Sequence, residues 1–147
     1  MSWSFIFCTD ELRFIPIIID SIKKQNIPKY EILITENDFV KNNKNVKIIY
    51  TNNKNEIAEH AQYDNLCFLT DMILSDNWYE GFEELGYDWD ISSTQIINVY
   101  RSEINLNYCF KRIFFLENKD DAWDDITVDF KHKNYKKNKK SFVNCLK

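Results

Sequence analysis

Apolar residues along this chain fall into short blocks that alternate between strand-like runs and helical periods. Ser4 to Cys8 reads as a short buried strand. Thr9-Asp10 then offers capping side chains for a helix whose apolar positions Leu12, Ile15, Ile18, Ile19 and Ile22 share one face. Pro16 sits in the early turns of that helix, where a missing donor does least harm. Asn26-Ile27-Pro28-Lys29 breaks the period, and Glu31 to Thr35 forms a second strand ending in Glu36-Asn37-Asp38. Strand, helix, strand at this spacing is a βαβ unit.

The alternation continues after the polar stretch Lys41 to Asn45. Val46 to Tyr50 reads as a third strand, and Asn55 to Gln62 as a helix feeding the strand Leu66 to Leu69. Asn77 to Leu85 reads as a helix capped by Asp76 or Asn77, with Trp78, Phe82 and Leu85 on one side. Residues 1–86 thus have the pattern of a doubly wound nucleotide-binding half. Residues 87–147 are less regular: Trp89 to Thr94 and Gln95 to Val99 suggest strands, and Asn107 to Phe115 an aromatic-rich strand or turn. Asp121 to Phe130 suggests a helix and Ser141 to Leu146 a last strand.

Composition narrows the function classes. A chain of 147 residues, 44% hydrophobic, has material for one domain with one core. Residues 1–130 carry 12 Lys+Arg against 23 Asp+Glu, and residues 131–147 carry 7 against none, so a basic arm follows an acidic body. The longest apolar runs, such as Phe14 to Ile19, fall far short of the roughly 20 residues of a membrane span. Met1-Ser2-Trp3-Ser4 lacks a charged signal start, so a soluble, cytoplasmic protein is expected. Cys8, Cys67, Cys109 and Cys145 form no CxxC pair and read as buried free thiols rather than a zinc site. With Gly81 and Gly86 as its two glycines, the chain has neither a P-loop nor a dinucleotide-binding fingerprint.

The candidate chemistry lies where apolar strands end in polar groups. Leu66-Cys67-Phe68-Leu69 runs into Thr70-Asp71-Met72, then Asp76-Asn77-Trp78, and open α/β sheets present ligand-binding groups at such carboxyl ends. Together these segments resemble the GT-A nucleotide-sugar glycosyltransferases, family 2-like, and especially short phage or bacterial members. The family opens with a strand, a loop carrying Thr, a helix, and a strand ending in acidic residues; here these are Phe5 to Thr9 and Tyr30 to Glu36. It places a basic residue and an Asn ahead of its metal-binding acidic motif, and Asn55 of Lys54-Asn55 stands fifteen positions before Thr70. Asp76-Asn77-Trp78-Tyr79-Glu80-Gly81-Phe82 is similar to the Trp-Tyr-Glu-Gly helix of its small members.

The resemblance implies a single α/β domain over 1–147, with a mixed, mostly parallel sheet and helices on both faces. Residues 1–86 would be its nucleotide-binding half and 87–147 a reduced acceptor half. It implies transfer of a sugar from a nucleotide-sugar donor, most plausibly UDP-linked, to a glycan or other hydroxyl acceptor, with inversion. Thr9 and Glu36 would flank the nucleoside, and Lys54 with Asn55 would lie near the base and diphosphate. Asp71 would bind the nucleotide through Mn²⁺ or Mg²⁺, although Thr70 and Met72 hold the outer positions of the usual DxD triplet. Trp123-Asp124-Asp125-Ile126 is similar to the acidic pair of inverting members, so Asp125, with Asp124 second, is the expected general base. Asp120-Asp121 is the nearby alternative.

Structural readings stand beside each of these. Asp71 and Asp76 also fit a strand end and a helix cap, Glu36 an exposed turn, and Asp124 and Asp125 favourable charges in a helix's first turn. Trp78, Tyr79 and Phe82 read as core, His60 and His132 as surface, and Arg101 and Trp89 as further acceptor-side candidates. The basic arm is a solvated terminus or a peripheral contact for anionic lipid or polysaccharide. A degenerate GT-A-like module that binds nucleotide or carbohydrate without turnover is the alternative function. A nucleic-acid-associated protein is a third reading, which the acidic body disfavours, so no nucleic-acid partner is expected.

Overall fold

The computed structural model describes residues 1–7, 12–98, 104–118 and 140–143. Its frame is one sheet of eight strands: β1 (Ser2–Phe7), β2 (Lys29–Thr35), β3 (Val46–Ile49), β4 (Asn65–Leu69), β5 (Met72–Ile73), β6 (Ile91–Asn98), β7 (Ile104–Lys111) and β8 (Lys140–Val143). The order runs β3-β2-β1-β4-β7-β6-β5, with β8 beside β6. β3, β2, β1 and β4 are mutually parallel, and β8 is parallel to β6. The β4–β7, β6–β7 and β5–β6 pairings are antiparallel, giving a mixed, mostly parallel sheet.

Helices cover both faces, and the alternation of β1 shows why. Trp3, Phe5 and Phe7 point to one face, where they join Ile15, Ile18, Ile19 and Ile22 of α1 (Ile15–Lys23) and Trp78, Tyr79 and Phe82 of α3 (Trp78–Leu85). Ile6 points to the other, with Leu33, Leu66 and Phe68, against Ile57 and Ala58 of α2 (Lys54–Glu59) and Phe114 and Phe115. The first cluster is an aromatic stack: Trp3 meets Trp78 and Phe82 edge-on at 4.6 and 4.7 Å between ring centroids. Trp89, an acceptor-side candidate in the sequence, is 2% exposed and closes this stack on Phe82. It is a core residue, its indole N–H donating to the Gly86 carbonyl.

Several element boundaries differ from the sequence pattern for identifiable reasons. α1 begins at Ile15, after a 3-10 turn over Leu12–Phe14, rather than near Thr9-Asp10. A start there would place Pro16 in the helix interior, where its ring clashes and a hydrogen bond is lost; starting at Ile15 puts it in the first turn. Trp89 to Val99, read as two strands, forms the single strand β6. The segment Asn107 to Phe115 divides, with β7 ending at Lys111 and residues 112–118 helical. Phe114 and Phe115 are adjacent yet share one cluster, which alternating strand side chains would not achieve. Cys67 and Cys109 are buried, in no disulfide, and lie opposite each other across β4 and β7.

A buried carboxylate ties the amino ends of the parallel strands. Glu31 of β2, 4% exposed, accepts from Ser4 Oγ at 2.7 Å, from the Gln62 backbone N–H at 2.8 Å and from Gln62 Nε2 at 3.3 Å. Lys47 of β3 reaches it at 3.7 Å. One side chain thereby links β1, β2, β3 and the segment entering β4. The strand pattern of Glu31 to Thr35 carries no sign of this junction, and the strand itself begins two residues earlier, at Lys29.

Candidate functional site

Strand order reverses at β1: the chain moves outward through β2 and β3, then returns to place β4 on the other side. The crevice above the carboxyl ends of β1 and β4 is therefore the switch point where ligands bind in open α/β sheets. The ends are level, with Phe7 opposite Leu69 and Thr35 opposite Ile49. Thr9, which follows β1, lies outside the described residues, as do Asp120, Asp121, Asp124, Asp125 and Arg101.

Thr70-Asp71 leaves β4 through a tight reversal in which the Met72 N–H donates to the Thr70 carbonyl at 2.9 Å. Asp71 is half-buried at the apex of that turn. The chain then crosses the carboxyl edge as β5, pairing Met72 with Asn98 and Ile73 with Ile97 on β6. Asp71 thus stands on a turn held at both sides by strand pairing.

Glu36 follows β2 on the same edge and is exposed. The loop behind it is shaped by Asn37, whose Oδ1 accepts from the N–H groups of Phe39 and Val40, both at 2.8 Å. Lys54 and Asn55 open α2 and are half-buried. Asn53 caps this helix, its Oδ1 accepting from Asn55 N at 2.9 Å and Glu56 N at 3.2 Å. Thr35 Oγ1 donates to Asn52 Oδ1 at 3.2 Å, joining the end of β2 to the entrance of α2. The structure thereby brings Glu36, Lys54, Asn55 and Asp71 to one edge of the sheet.

The segment after Asp71 is pinned from beneath by two side chains at the end of α1. Ser21 Oγ accepts from the Leu74 N–H at 3.1 Å and donates to the Ile18 carbonyl at 2.6 Å. Gln25 Nε2 donates to the Ser75 carbonyl at 2.7 Å, while its Oε1 accepts from the Tyr79 N–H at 2.9 Å. Tyr79 is in the first turn of α3, whose Ncap residue Asn77 makes no side-chain capping bond. The cap expected from Asp76 or Asn77 is supplied instead by Gln25, fifty-four positions away in sequence. Burial raises the Tyr79 phenol above its ordinary 10.0, with Glu83 and Tyr87 adding to the shift.

A Mn²⁺ or Mg²⁺ site can be tested against these residues. Among the described residues no three His, Cys, Asp or Glu side chains converge as a metal-binding group. An ion at Asp71 would need its remaining ligands from elsewhere, such as a nucleotide's phosphates and water. Asn53 could have been found from sequence as an Asn one residue before a helical run. Gln25 and Ser21 carry no such signal, because their partners are remote in the chain.

No protein-family model and no curated protein matches the sequence. Among solved structures, the crystal structure of S. aureus TarS 1-349, a GT-A-type glycosyltransferase, is similar over 81% of this chain, with a TM-score of 0.59 at 12% identity. The fold is GT-A-like. This chain spans 49% of that structure, about half its length.

Proposed function

We propose that the protein transfers a sugar from a nucleoside diphosphate sugar, UDP-linked by preference, to a hydroxyl acceptor with inversion. The observation that carries this reading is the convergence of Glu36, Lys54, Asn55 and Asp71 on the carboxyl edge of a GT-A-like sheet. Glu36 is assigned to the base. Lys54 offsets phosphate charge as the diphosphate leaves. Asp71 would hold Mn²⁺ or Mg²⁺ together with diphosphate oxygens, and the bound ion would supply further charge compensation.

In the assigned step an acceptor hydroxyl attacks the anomeric carbon as the bond to the diphosphate oxygen breaks. The Asp125 carboxylate takes the hydroxyl proton, with Asp124 as second candidate. Thr9 is assigned to the nucleoside side. The test is hydrolysis or transfer from a panel of UDP-sugars and GDP-sugars: turnover lost in Asp125→Ala with nucleotide binding retained supports the assignment. Turnover unaffected by that change removes Asp125 as the base.

A second reading, a GT-A-like module that binds without turnover, is favoured by one observation. Asp71 stands without a second carboxylate in the triplet Thr70-Asp71-Met72. Nucleotide binding in a wild-type protein inactive on every donor of the panel would select it.

A further inference from the structure

The opposite edge of the sheet carries a second candidate site, a cavity of about 570 Å³, within the size range of small-ligand pockets. It is lined by Asp64 at the entrance to β4, by the loop 87–90 between α3 and β6, by Lys111 at the end of β7, and by the 112–118 helix. β4, at about 3.3 Å per residue, places Asp64 about 20 Å from Thr70, so this cavity is distinct from the carboxyl-edge crevice.

The frame of the cavity is fixed by backbone bonds. Lys111 N–H donates to the Asp90 carbonyl at 2.9 Å and Arg112 N–H to the Asp64 carbonyl at 2.8 Å. Trp89 is anchored in the core by its ring and by its bond to Gly86, while Tyr87, two residues earlier, is 67% exposed at the cavity wall. Ile113 adds an exposed apolar surface beside it. An outward aromatic ring on an anchored loop needs a reason, since core packing does not require it.

The lining chemistry selects among ligand classes. Asp64, Asp88, Asp90 and Glu117 against Lys111 give the wall an excess of carboxylates, which disfavours a phosphate or other anion. The seat for an organic cation is already filled from within. Lys111 Nζ lies 4.2 Å from the Trp89 ring centroid and 5.3 Å from that of Tyr87, and it donates to Asn65 Oδ1 at 2.8 Å. A neutral ligand rich in hydroxyls matches this lining: carboxylate oxygens and an ammonium group around an exposed tyrosine ring and an apolar wall. Burial lowers the Lys111 pKa below its ordinary 10.5, against the raising influence of Asp64 and Asp90, consistent with a partly desolvated cavity.

We propose that this amino-edge cavity is a saccharide-binding site, with Tyr87 as the platform for a sugar ring and Asp88 and Asp90 as acceptors for its hydroxyls. The site does not depend on the transferase reading.

The experiment is a ¹⁵N-resolved NMR titration of the full chain with neutral oligosaccharides (maltotriose, cellotriose, chitotriose and mannotriose), with spermidine and UDP titrated separately. At least one oligosaccharide is expected to move the amides of residues 87–90 and 111–118. Tyr87→Ala, a change at an exposed ring, is expected to weaken that binding about tenfold, whereas Asp71→Ala leaves it unchanged. Asp88→Asn, which keeps the shape and removes the charge, also weakens it. The proposal is overturned if no oligosaccharide moves these amides at millimolar concentration. It is equally overturned if spermidine or UDP occupies the cavity in their place, or if Tyr87→Ala binds as the wild type does.

Discussion

Replacing Gln25 with Ala isolates a side chain that holds the segment between Asp71 and α3. The residue is 8% exposed, and the change leaves the Tyr79 N–H without its acceptor, while the Ser75 carbonyl loses one donor and keeps the Trp78 N–H at 3.1 Å. A buried polar group left unpaired costs about 1–3 kcal/mol and a lost bond to a carbonyl that stays paired about 1 kcal/mol, and water entering the vacated space recovers part of that, so the loss is about 2 kcal/mol. For a chain of this length it lowers the Tm by about 4–8 °C. Urea denaturation followed by circular dichroism measures the free energy, and hydrogen exchange at the Tyr79 amide measures the cap itself, which should lose protection before the rest of α3. Gln25→Glu gives a sharper version. Its ionised carboxylate still accepts from Tyr79 N–H but opposes the Ser75 carbonyl, whereas its neutral acid can make both bonds. The neutral form is then favoured in the fold, the folded state binds the extra proton, and the deficit against wild type shrinks as the pH falls through the carboxyl range. A Gln25→Ala protein within about 0.5 kcal/mol of wild type, with Tyr79 still protected, would refute the reasoning.

Other perturbations test other parts of the account. Glu31→Ala removes the acceptor of the Ser4 hydroxyl and of the Gln62 N–H, and should cost about 2–4 kcal/mol in chemical denaturation; loss of no more than a surface substitution's worth would remove it as the junction of the strands. Trp78→Ala should cost about 3–5 kcal/mol by opening a cavity in the aromatic stack. Trp78→Phe should cost much less, because the ring fills most of the space and the indole N–H it removes has no hydrogen-bond partner among the described residues, and equal losses would contradict this. The raised Tyr79 phenol favours the neutral form in the fold, so its contribution to stability is complete below pH 10.0 and declines as the pH rises through the folded pKa. Alkaline denaturation of Tyr79→Phe should therefore be shallower than that of wild type, and identical curves would rule out the effect.

How much of this was legible in the sequence depended on range. β1, β2, β3 and β4 could be read within a residue or two because each is a short apolar run bounded by polar turns, and α3 because Trp78, Phe82 and Leu85 repeat at helical spacing. Lys54, Asn55 and Asp71 could be placed on one edge because a β-α-β order fixes which strand ends meet. What escaped was set by contacts remote in sequence. β5 is two residues long and exists through its pairing with β6. Gln25 and Glu31 look like ordinary polar residues until α1 meets the start of α3 and β2 meets Gln62. Trp89 misled because exposed and buried tryptophans have the same local signature; only the stack against Phe82 decides. The amino-edge cavity, assembled from residues between 64 and 118, had no local pattern at all.

Calorimetric titration of the purified protein with UDP and with GDP, each with and without Mn²⁺, tests the central claim most directly. A donor site at the carboxyl edge predicts that one nucleotide binds, that Mn²⁺ strengthens its binding, and that Asp71→Ala weakens it. No binding of either nucleotide, with or without Mn²⁺, would contradict that claim and leave a GT-A-like fold without its donor site.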